Sequence, residues 1–225
     1  ESLFFRVNNQ FQTEEYNLGY INSIPLSVQL DPDGWISKEI QYLNNDNIYE
    51  IGIDEAGRGA LAGPVVAAAV ILPSSEMIKG LDDSKKITKK NRDKLFLKIV
   101  ELGEVGIGFS SHRVIDKINI LNATHLAMTK AFRNIETIPD QILVDGINSP
   151  IFEYETKHII GGDGKVDCIG AASIVAKVVR DKFMSMLDLV FPDFNFSKHK
   201  GYGTKEHFNL LKKNSFTEIH RKTFA

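Results

Sequence analysis

Residues 49–73 read YEIGIDEAGRGALAGPVVAAAVILP and predict two neighbouring strands joined by a glycine-rich turn. Ile51 and Ile53 alternate along the first strand, so both side chains pack on one face of a sheet while Asp54 starts on the other. Asp54 and Glu55 are adjacent carboxylates at the end of this strand. Burying carboxylates costs free energy unless they are paired or bind a cation. We therefore expect a functional site here, rather than two solvated acids before an ordinary turn.

Length and composition bound the class of protein. A chain of 225 residues, 43% of them hydrophobic and 25% charged, is typical of a globular protein with one good core and a small appendage. The longest apolar run, residues 65–72, has the length of a strand and not of a membrane span. One cysteine, Cys168, excludes an internal disulfide framework. With no signal-peptide pattern at the start, these features predict a cytoplasmic protein without a membrane partner.

The formal net charge of −2 is unevenly distributed along the chain. Residues 1–50 hold two basic and eight acidic residues, whereas the rest holds 25 basic and 21 acidic ones. The positive charge concentrates in residues 79–98 and 193–225. A run of lysines is usually a solvated face. Two such segments in a chain with an acidic centre suit a polyanionic partner that also needs a cation.

Hydrophobic periodicity predicts an α/β fold in which part of the sheet comes from an early hairpin or meander. The predicted strands are residues 49–54, 65–72, 104–109, 141–144 and 157–160. The predicted helices are residues 88–101, 119–133, 169–189 and 204–213, with Thr88 and Thr204 as N-caps. No linker divides residues 49–225, which we treat as one domain. Residues 1–48, with a possible short helix at 36–43, are an N-terminal extension of unknown role.

Acidic residues follow three of the predicted strands: Asp54 and Glu55, then Asp145, then Asp163. In open α/β sheets, ligands gather beyond the ends of the strands. Four carboxylates that converge there repel one another unless a cation lies among them. Oxygen ligands select hard cations such as Mg²⁺ or Mn²⁺. Because Mg²⁺ binds phosphate oxygens and activates water, the pattern indicates chemistry at phosphorus.

Each feature has an ordinary alternative when it stands alone. Asp145 and Gly146 could form a plain turn, and residues 161–164 could form a flexible turn or a phosphate-cradling loop without the ending of a P-loop. Tyr202 could be a core aromatic, although its flanking glycines suggest an exposed ring. The polar face of a helix would account for Ser173, Lys177 and Arg180.

Six segments, in this order, together resemble the bacterial ribonuclease HII family. They are GIDEAGRGALAGPVVAAAVIL (52–72), DDSKK (82–86), ILVDG (142–146), GGDGKV (161–166), AASIVAKVVRD (171–181) and HKGYGTKEH (199–207). The resemblance covers roughly residues 49–225. It implies a ribonuclease H-like fold, which is a mixed five-stranded sheet flanked by helices and followed by a C-terminal helical region.

The resemblance also implies roles for individual residues. Catalysis and metal binding fall on Asp54, Glu55, Asp145 and Asp163. Recognition of the ribose 2′-hydroxyl falls on Gly57, Arg58 and Gly59, and packing on the deoxyribose at an RNA–DNA junction falls on Tyr202. Positions along the nucleic-acid backbone match Ser84, Lys85, Ser173 and Lys177. Ala60 stands where the family usually has proline, which favours a looser turn.

The activity implied is that of an endoribonuclease with a two-metal mechanism that uses Mg²⁺ or Mn²⁺. Its expected substrates are RNA–DNA hybrids and ribonucleotide-containing duplex DNA, cut 5′ of a ribonucleotide to leave a 3′-hydroxyl and a 5′-phosphate, and we expect a monomer. Two alternatives stay open. A phosphatase would need no long basic surface, and a catalytically silent hybrid-binding protein would be expected to lack one of the acids.

Overall fold

The computed structural model describes residues 48–73, 78–81, 84 and 87–224, which form a five-stranded mixed sheet with helices on both faces. The strands are β1 (Glu50–Ala56), β2 (Val65–Ile71), β3 (Glu104–Ser110), β4 (Gln141–Asp145) and β5 (Thr156–Ile159). Their order in the sheet is β3-β2-β1-β4-β5. The first three strands form an antiparallel meander, and β4 and β5 run parallel to β1. The predicted mixed five-stranded sheet is therefore confirmed.

Within the described ranges, five α-helices connect or follow these strands: α1 (Lys89–Leu102), α2 (His112–Phe132), α3 (Asp167–Met186), α4 (Phe196–His199) and α5 (Lys205–Asn214). Short 3₁₀ turns lie at Gly162–Gly164, Leu187–Leu189, Pro192–Phe194 and Lys222–Phe224. The N-caps predicted for α1 and α5 are confirmed. The Thr88 hydroxyl accepts a hydrogen bond from the Asn91 N–H at 3.4 Å, and the Thr204 hydroxyl accepts one from the His207 N–H at 3.2 Å.

Helix α2 begins at His112, whereas the sequence predicted a start at Asn119. Ser111 caps the true beginning, because its hydroxyl accepts a hydrogen bond from the Val114 N–H at 3.3 Å. At Asn119 the backbone leaves the helical path with φ 67°, and the Asn119 side chain caps the continuing helix through the Asn122 N–H at 3.0 Å. The sequence pattern therefore identified the second of two helical segments and missed the first.

The two faces of the sheet are covered by different helices. Ile51 and Ile53 of β1 pack with Met128 of α2 in one buried cluster. On the opposite face, a Cβ added to Gly52 would lie 2.1 Å from the backbone carbon of Cys168, so this glycine allows α3 to approach β1 closely. Asp54 shares the Gly52 face because side chains alternate along a strand. The predicted separation of Asp54 from the apolar face is confirmed.

Residues 49–225 form one compact unit. The assignment of residues 1–48 to a separate extension stays a prediction, and the predicted helix at 36–43 lies outside the described residues. Among the helices of the described ranges, none is both long and apolar enough to cross a membrane.

Candidate active site

The carboxyl ends of β1 and β4 bring three acidic residues together. Ile53 pairs with Val144 in the parallel ladder, so Asp54 and Asp145 follow at the same edge of the sheet. Asp54 is only 5% exposed, and the Glu55 side chain beside it is 13% exposed. We call Asp54, Glu55 and Asp145 the carboxylate cluster. The sequence predicted this convergence from the strand ends.

Asp163 lies on a turn that is attached to the carboxylate cluster. The Asp145 Oδ1 accepts a hydrogen bond from the Gly162 N–H at 2.7 Å, which holds the 3₁₀ turn Gly162–Gly164 against the end of β4. Gly170 lets α3 pass close to this turn, because a Cβ there would lie 2.9 Å from the Asp163 carbonyl oxygen. The backbone of Asp163 is therefore held from β4 on one side and α3 on the other.

The charges of the carboxylate cluster destabilise one another. Burial, followed by the charge of Glu55 and more weakly that of Asp145, raises the pKa of Asp54 well above its usual value of 3.8. Two hydrogen bonds lower the pKa of Asp54 instead. One is made with the Ser173 side chain, and the other is donated by the Glu55 N–H to Asp54 Oδ1 at 2.7 Å. Carboxylate oxygens with this mutual repulsion are a donor set that suits a hard divalent cation.

The side chains as placed do not form a ready metal cage. Across the ranges that the structure describes, no group of three or more His, Cys, Asp or Glu side chains is arranged to hold a metal ion. The metal-binding roles of Asp54, Glu55, Asp145 and Asp163 therefore stay predictions.

Ser84 and Ser173 form a buried hydroxyl pair behind Asp54. Their hydroxyls are hydrogen bonded at 2.9 Å, and the residues are 3% and 5% exposed. The Arg92 guanidinium donates to the Ser84 carbonyl oxygen from α1. This placement links α1 and α3 to the carboxylate cluster. Contact of both serines with a nucleic-acid backbone stays a prediction, and Lys85 lies outside the described residues.

Residues 57–64 form a turn between β1 and β2 that we call the glycine turn. Gly57 has φ +96°, and a Cβ there would lie 1.9 Å from Arg180 Nε. Gly59 is exposed, and no atom lies within 4 Å of the position its Cβ would take. The Arg58 guanidinium is half-exposed and lies 3.2 Å from Glu55 Oε1. The glycine turn is therefore packed on one side and open on the other.

Tyr202 lies beside the glycine turn. Its backbone pairs with Ala60 in an isolated antiparallel bridge. The partly exposed ring lies 5.0 Å from Arg180 Cζ and 5.5 Å from Lys177 Nζ, measured to the ring centroid. Lys177 also donates to Asp181 Oδ1 at 2.8 Å, so its charge is partly neutralised within α3.

One of the alternatives left open by the sequence is wrong for Arg180. This residue is fully buried rather than on a solvated helix face. Its guanidinium donates to the carbonyl oxygens of Pro64 at 2.9 Å, Lys200 at 3.0 Å and Ala62 at 3.2 Å. Through these hydrogen bonds, one side chain joins the end of the glycine turn to the loop before Tyr202.

Arg221 is a buried part of the site that the sequence analysis missed. Near the end of the chain and 1% exposed, it donates to the carbonyl oxygens of Gly57 at 2.7 Å, Arg58 at 2.8 Å and Gly63 at 3.0 Å. The local signal was weak, since Arg221 occurs in a basic segment that resembles a solvated tail. An arginine between the apolar residues Ile219 and Phe224 was the available clue.

The sheet order and the acidic edge place the protein in the class of ribonuclease H-like α/β nucleases. A solved structure of the ribonuclease H2 from Pyrococcus horikoshii OT3 has a TM-score of 0.66 and 25% sequence identity, covering 78% of this chain and 93% of that chain. A sequence model described as Ribonuclease HII matches residues 51–225. The chain belongs to the ribonuclease HII family.

Other relatives agree with this assignment. A ribonuclease HII of Clostridioides difficile strain 630 is 44% identical over 214 residues, which cover 90% of this chain and 83% of the relative. A Bst ribonuclease HIII solved in complex with Mn²⁺ shares the fold, with a TM-score of 0.60 and 17% identity over 79% of this chain and 67% of that chain. The family resemblance and the fold are thus confirmed. Membership assigns endonuclease activity of the ribonuclease H kind, in a family that depends on divalent metals.

Proposed function

We propose that this protein cleaves the RNA strand of RNA–DNA hybrids and cuts 5′ of ribonucleotides embedded in duplex DNA. The observation that carries this proposal is the direct connection between the carboxylate cluster and the glycine turn. One residue, Ala56, separates Glu55 from Gly57. A phosphodiester at the carboxylate cluster would therefore have its neighbouring sugar beside the open side of the glycine turn.

The four acidic residues Asp54, Glu55, Asp145 and Asp163 would hold Mg²⁺ or Mn²⁺. When bound, a pair of such ions supplies an activated water and stabilises the leaving oxygen of an in-line displacement, which gives a 3′-hydroxyl and a 5′-phosphate. The buried hydrogen bond from Ser173 would keep the Asp54 carboxylate in one orientation. Lys177 would neutralise backbone phosphates without reading sequence.

Selectivity for RNA requires contact with the 2′-hydroxyl, the group that distinguishes RNA from DNA. Backbone amides of Arg58 and Gly59 lie in the exposed part of the glycine turn, where a sugar can approach without meeting a side chain at Gly59. The backbone of Tyr202 pairs with Ala60, the residue that follows Gly59, so Tyr202 lies next to the glycine turn. In this proposal the ring packs on the deoxyribose that follows the ribonucleotide.

A gel assay with four substrates tests the proposal. They are a duplex with one ribonucleotide, a continuous RNA–DNA hybrid, an all-DNA duplex of the same sequence, and a small phosphomonoester. We expect cleavage of the first two with Mg²⁺ or Mn²⁺, a 5′-phosphate on the downstream product, and no turnover by Asp145→Asn. Hydrolysis of the phosphomonoester alone would favour a phosphatase. Hybrid binding without cleavage in either metal would favour the silent binding protein.

The oligomeric state belongs to the same proposal. We expect a monomer, because a single chain carries the carboxylate cluster, the glycine turn and Tyr202. Sedimentation of the protein with and without a ribonucleotide-containing duplex would measure the mass of the active species.

A further inference from the structure

Arg221 contacts the glycine turn from inside the protein. All three nitrogens of its guanidinium donate to carbonyl oxygens of the turn: Nη2 to Gly57, Nη1 to Arg58 and Nε to Gly63. A planar guanidinium has its donors in a fixed fork, so three simultaneous bonds fix the orientation of the peptide groups that accept them. This contact joins residues 164 positions apart in the chain.

The orientation of these carbonyls determines where the neighbouring amides point. No peptide bond among the described residues is cis, and in a planar trans peptide the C=O and the following N–H point in opposite directions. Carbonyls of Gly57 and Arg58 that point inward to Arg221 therefore direct the N–H groups of Arg58 and Gly59 outward. Within the ranges described, neither N–H has a hydrogen-bond partner in the protein, and both residues are exposed.

We propose that Arg221 is a positioning residue for substrate recognition: its buried guanidinium holds the glycine turn so that the amides of Arg58 and Gly59 point at the ribose 2′-hydroxyl. The inference rests on the proposed function for the identity of the substrate group. The geometry of the contact does not depend on the proposed function: three buried hydrogen bonds lie behind two amides that point outward. Arg221 touches no substrate atom in this scheme and acts through the backbone of the turn.

The segment that carries Arg221 is anchored on both sides of the residue. Before it, His220 pairs with Ala62 in an isolated bridge. The N–H of Arg221 itself donates to the Leu61 carbonyl oxygen at 2.9 Å. After it, the Asp116 carboxylate of α2 accepts from the N–H groups of Lys222 at 3.0 Å and Thr223 at 2.9 Å. Arg221 is therefore held in place before any substrate arrives, as preorganised recognition requires.

Arg180 makes a comparable set of bonds but serves a different part of the turn. Its partners in the turn are the carbonyls of Ala62 and Pro64, which do not precede the two outward amides. Loss of Arg180 would also disturb Tyr202, whose ring lies 5.0 Å from its guanidinium carbon. Arg221 is thus the buried side chain whose removal bears most directly on the amides of Arg58 and Gly59.

The test compares Arg221→Gln and Arg221→Lys with Lys222→Gln in the full chain. Lys222 is the matched control, because it is the next residue, is exposed, and loses the same charge. For each protein we would measure kcat and KM on a duplex with one ribonucleotide, and the inhibition constant of the all-DNA duplex. Backbone amide NMR spectra of the wild type and the variants would report on Arg58 and Gly59 directly.

We expect Arg221→Gln to lower kcat/KM on the order of tenfold to a hundredfold, the effect of two weakened hydrogen bonds, while the inhibition constant of the all-DNA duplex stays unchanged. Arg221→Lys keeps the buried charge without the fork, so it should fold and show an intermediate loss. Lys222→Gln should change KM and the inhibition constant by the same small factor. The Arg58 and Gly59 amide signals should shift or broaden in both Arg221 variants.

Two results would overturn the inference. One is an unchanged pair of amide signals in Arg221→Lys, and the other is an equal loss of affinity for the ribonucleotide-containing and all-DNA duplexes. A wild-type protein that did not prefer the ribonucleotide-containing duplex would instead contradict the proposed function, and the amide signals would still decide whether Arg221 positions the turn.

Discussion

The backbones of Ala60 and Tyr202 pair in an isolated antiparallel bridge. This bridge makes one structural unit of the glycine turn and residues 200–204, which we call the tyrosine loop. The Leu61 N–H donates to the Gly201 carbonyl oxygen at 2.8 Å beside the bridge. Arg180 lies behind both parts, with its guanidinium on the Pro64 carbonyl and 5.0 Å from the Tyr202 ring centroid. The two elements that are proposed to recognise the sugar–phosphate chain therefore keep a fixed spacing.

Gly57 and Gly59 should respond differently to the same substitution. Gly57→Ala places a side chain at φ +96° and against Arg180, so we expect it to lower the free energy of unfolding by more than about 2 kcal/mol. Gly59→Ala meets open space, so its melting temperature should match that of the wild type. Its methyl group would occupy the position of the incoming sugar, and cleavage should fall on the order of a hundredfold.

Thermal melts and cleavage rates of both variants check this pair. The melts serve as the control for the rates, because Gly59→Ala should lose cleavage while melting like the wild type, whereas Gly57→Ala should also melt at a lower temperature. Normal cleavage by a well-folded Gly59→Ala protein would place the substrate away from the glycine turn.

Asp54→Asn should abolish cleavage while stabilising the metal-free protein. Burial and the charges of Glu55 and Asp145 raise the pKa of Asp54, so the ionised carboxylate is destabilised in the folded state. Removing its charge at neutral pH relieves this cost, whereas a metal ligand is lost. We expect Mg²⁺ to raise the melting temperature of the wild type, as binding to the folded state must, and to raise that of Asp54→Asn much less.

Asp193→Asn is the matched control for Asp54→Asn, because Asp193 is exposed on a 3₁₀ turn. It should melt like the wild type, with and without Mg²⁺, and should cleave normally. An Asp54→Asn protein with wild-type turnover in Mg²⁺ would contradict the assignment of Asp54 as a metal ligand.

The faces of β1 and the caps of the helices could be predicted because they depend on neighbouring residues. The alternation of Ile51, Ile53 and Asp54 is local, and the structure confirms which face each occupies. Thr88 and Thr204 are caps for the same reason. The first turns of α2 were missed because Ser111 has no strong apolar pattern after it and Asn119 offers a second cap.

The supports of the site could not be predicted, because they depend on contacts between distant parts of the chain. Arginines are mostly exposed in folded proteins, so the polar face of a helix stays an open account of Arg180 in the sequence, and Arg221 is only one member of a basic segment. Their burial is explained by backbone carbonyls of the glycine turn, up to 164 residues away. Ser84 and Ser173, 89 residues apart, likewise meet only in the folded protein. A local sequence pattern does not predict contacts between residues so far apart in the chain.

Three buried histidines, two of them hydrogen bonded to each other, form a cluster beneath the tyrosine loop. The Tyr202 carbonyl accepts from His207 Nδ1 at 3.0 Å, so His207 Nε2 is left to accept from His220 Nε2 at 3.0 Å. His220 Nδ1 accepts from the Thr217 N–H at 2.9 Å. The His199 ring stacks on His207 with centroids 4.2 Å apart. The His207 and His220 rings are therefore both neutral. A proton added to the accepting nitrogen of either ring would point at the hydrogen-bond donor that this nitrogen now accepts from.

Mild acid should therefore lower the free energy of unfolding, because the three histidines resist protonation in the folded state. Burial, and then the charge of His207, lowers the pKa of His220 to about 4, and burial also lowers the pKa values of His199 and His207. Between about pH 6.5 and pH 4 the unfolded chain binds more protons than the folded one, so the free energy of unfolding falls as the pH falls. Each unit of lowered pKa contributes about 1.4 kcal/mol to this loss.

Chemical denaturation at pH 7, 6 and 5 measures the effect. His220→Gln should be less stable at pH 7 and should lose less stability than the wild type on acidification. His158 is exposed and outside the cluster, so His158→Gln should keep the wild-type pH dependence. A wild-type protein whose stability did not change between pH 7 and pH 5 would show that the cluster accepts protons without cost.

Binding to the hybrid should weaken steeply with salt, because phosphate neutralisation releases counterions. Lys177→Gln should weaken binding by a similar factor for all sequences and reduce the salt slope by about one unit. Lys85→Gln should behave in the same way. Lys157→Gln is the control, because Lys157 contacts Gln141 at the opposite end of β4 from Asp145. Affinity that did not change between low and moderate ionic strength would contradict neutralisation of the phosphates by lysines.

Tyr202→Ala should separate two substrates that share one catalytic centre. The carboxylate cluster can act on any phosphodiester, so recognition of a single ribonucleotide must depend on residues beside it. If the Tyr202 ring packs on the deoxyribose after the ribonucleotide, its loss should affect a single embedded ribonucleotide more than a continuous hybrid. Stacking of this kind contributes about 1–3 kcal/mol, so the cleavage rate at the single ribonucleotide should fall on the order of tenfold to a hundredfold.

Tyr202→Phe is the matched control, because it keeps the ring that lies 5.0 Å from the Arg180 guanidinium carbon and removes only the hydroxyl. We expect it to cleave both substrates at nearly the wild-type rates, and to melt like the wild type because the bridge to Ala60 is formed by the backbone. Kinetics with the two substrates, at matched length and sequence, measure the ratio directly. If Tyr202→Ala lost activity equally on both, Tyr202 would act in folding or general binding, since only contact at the RNA–DNA junction predicts a substrate-dependent loss.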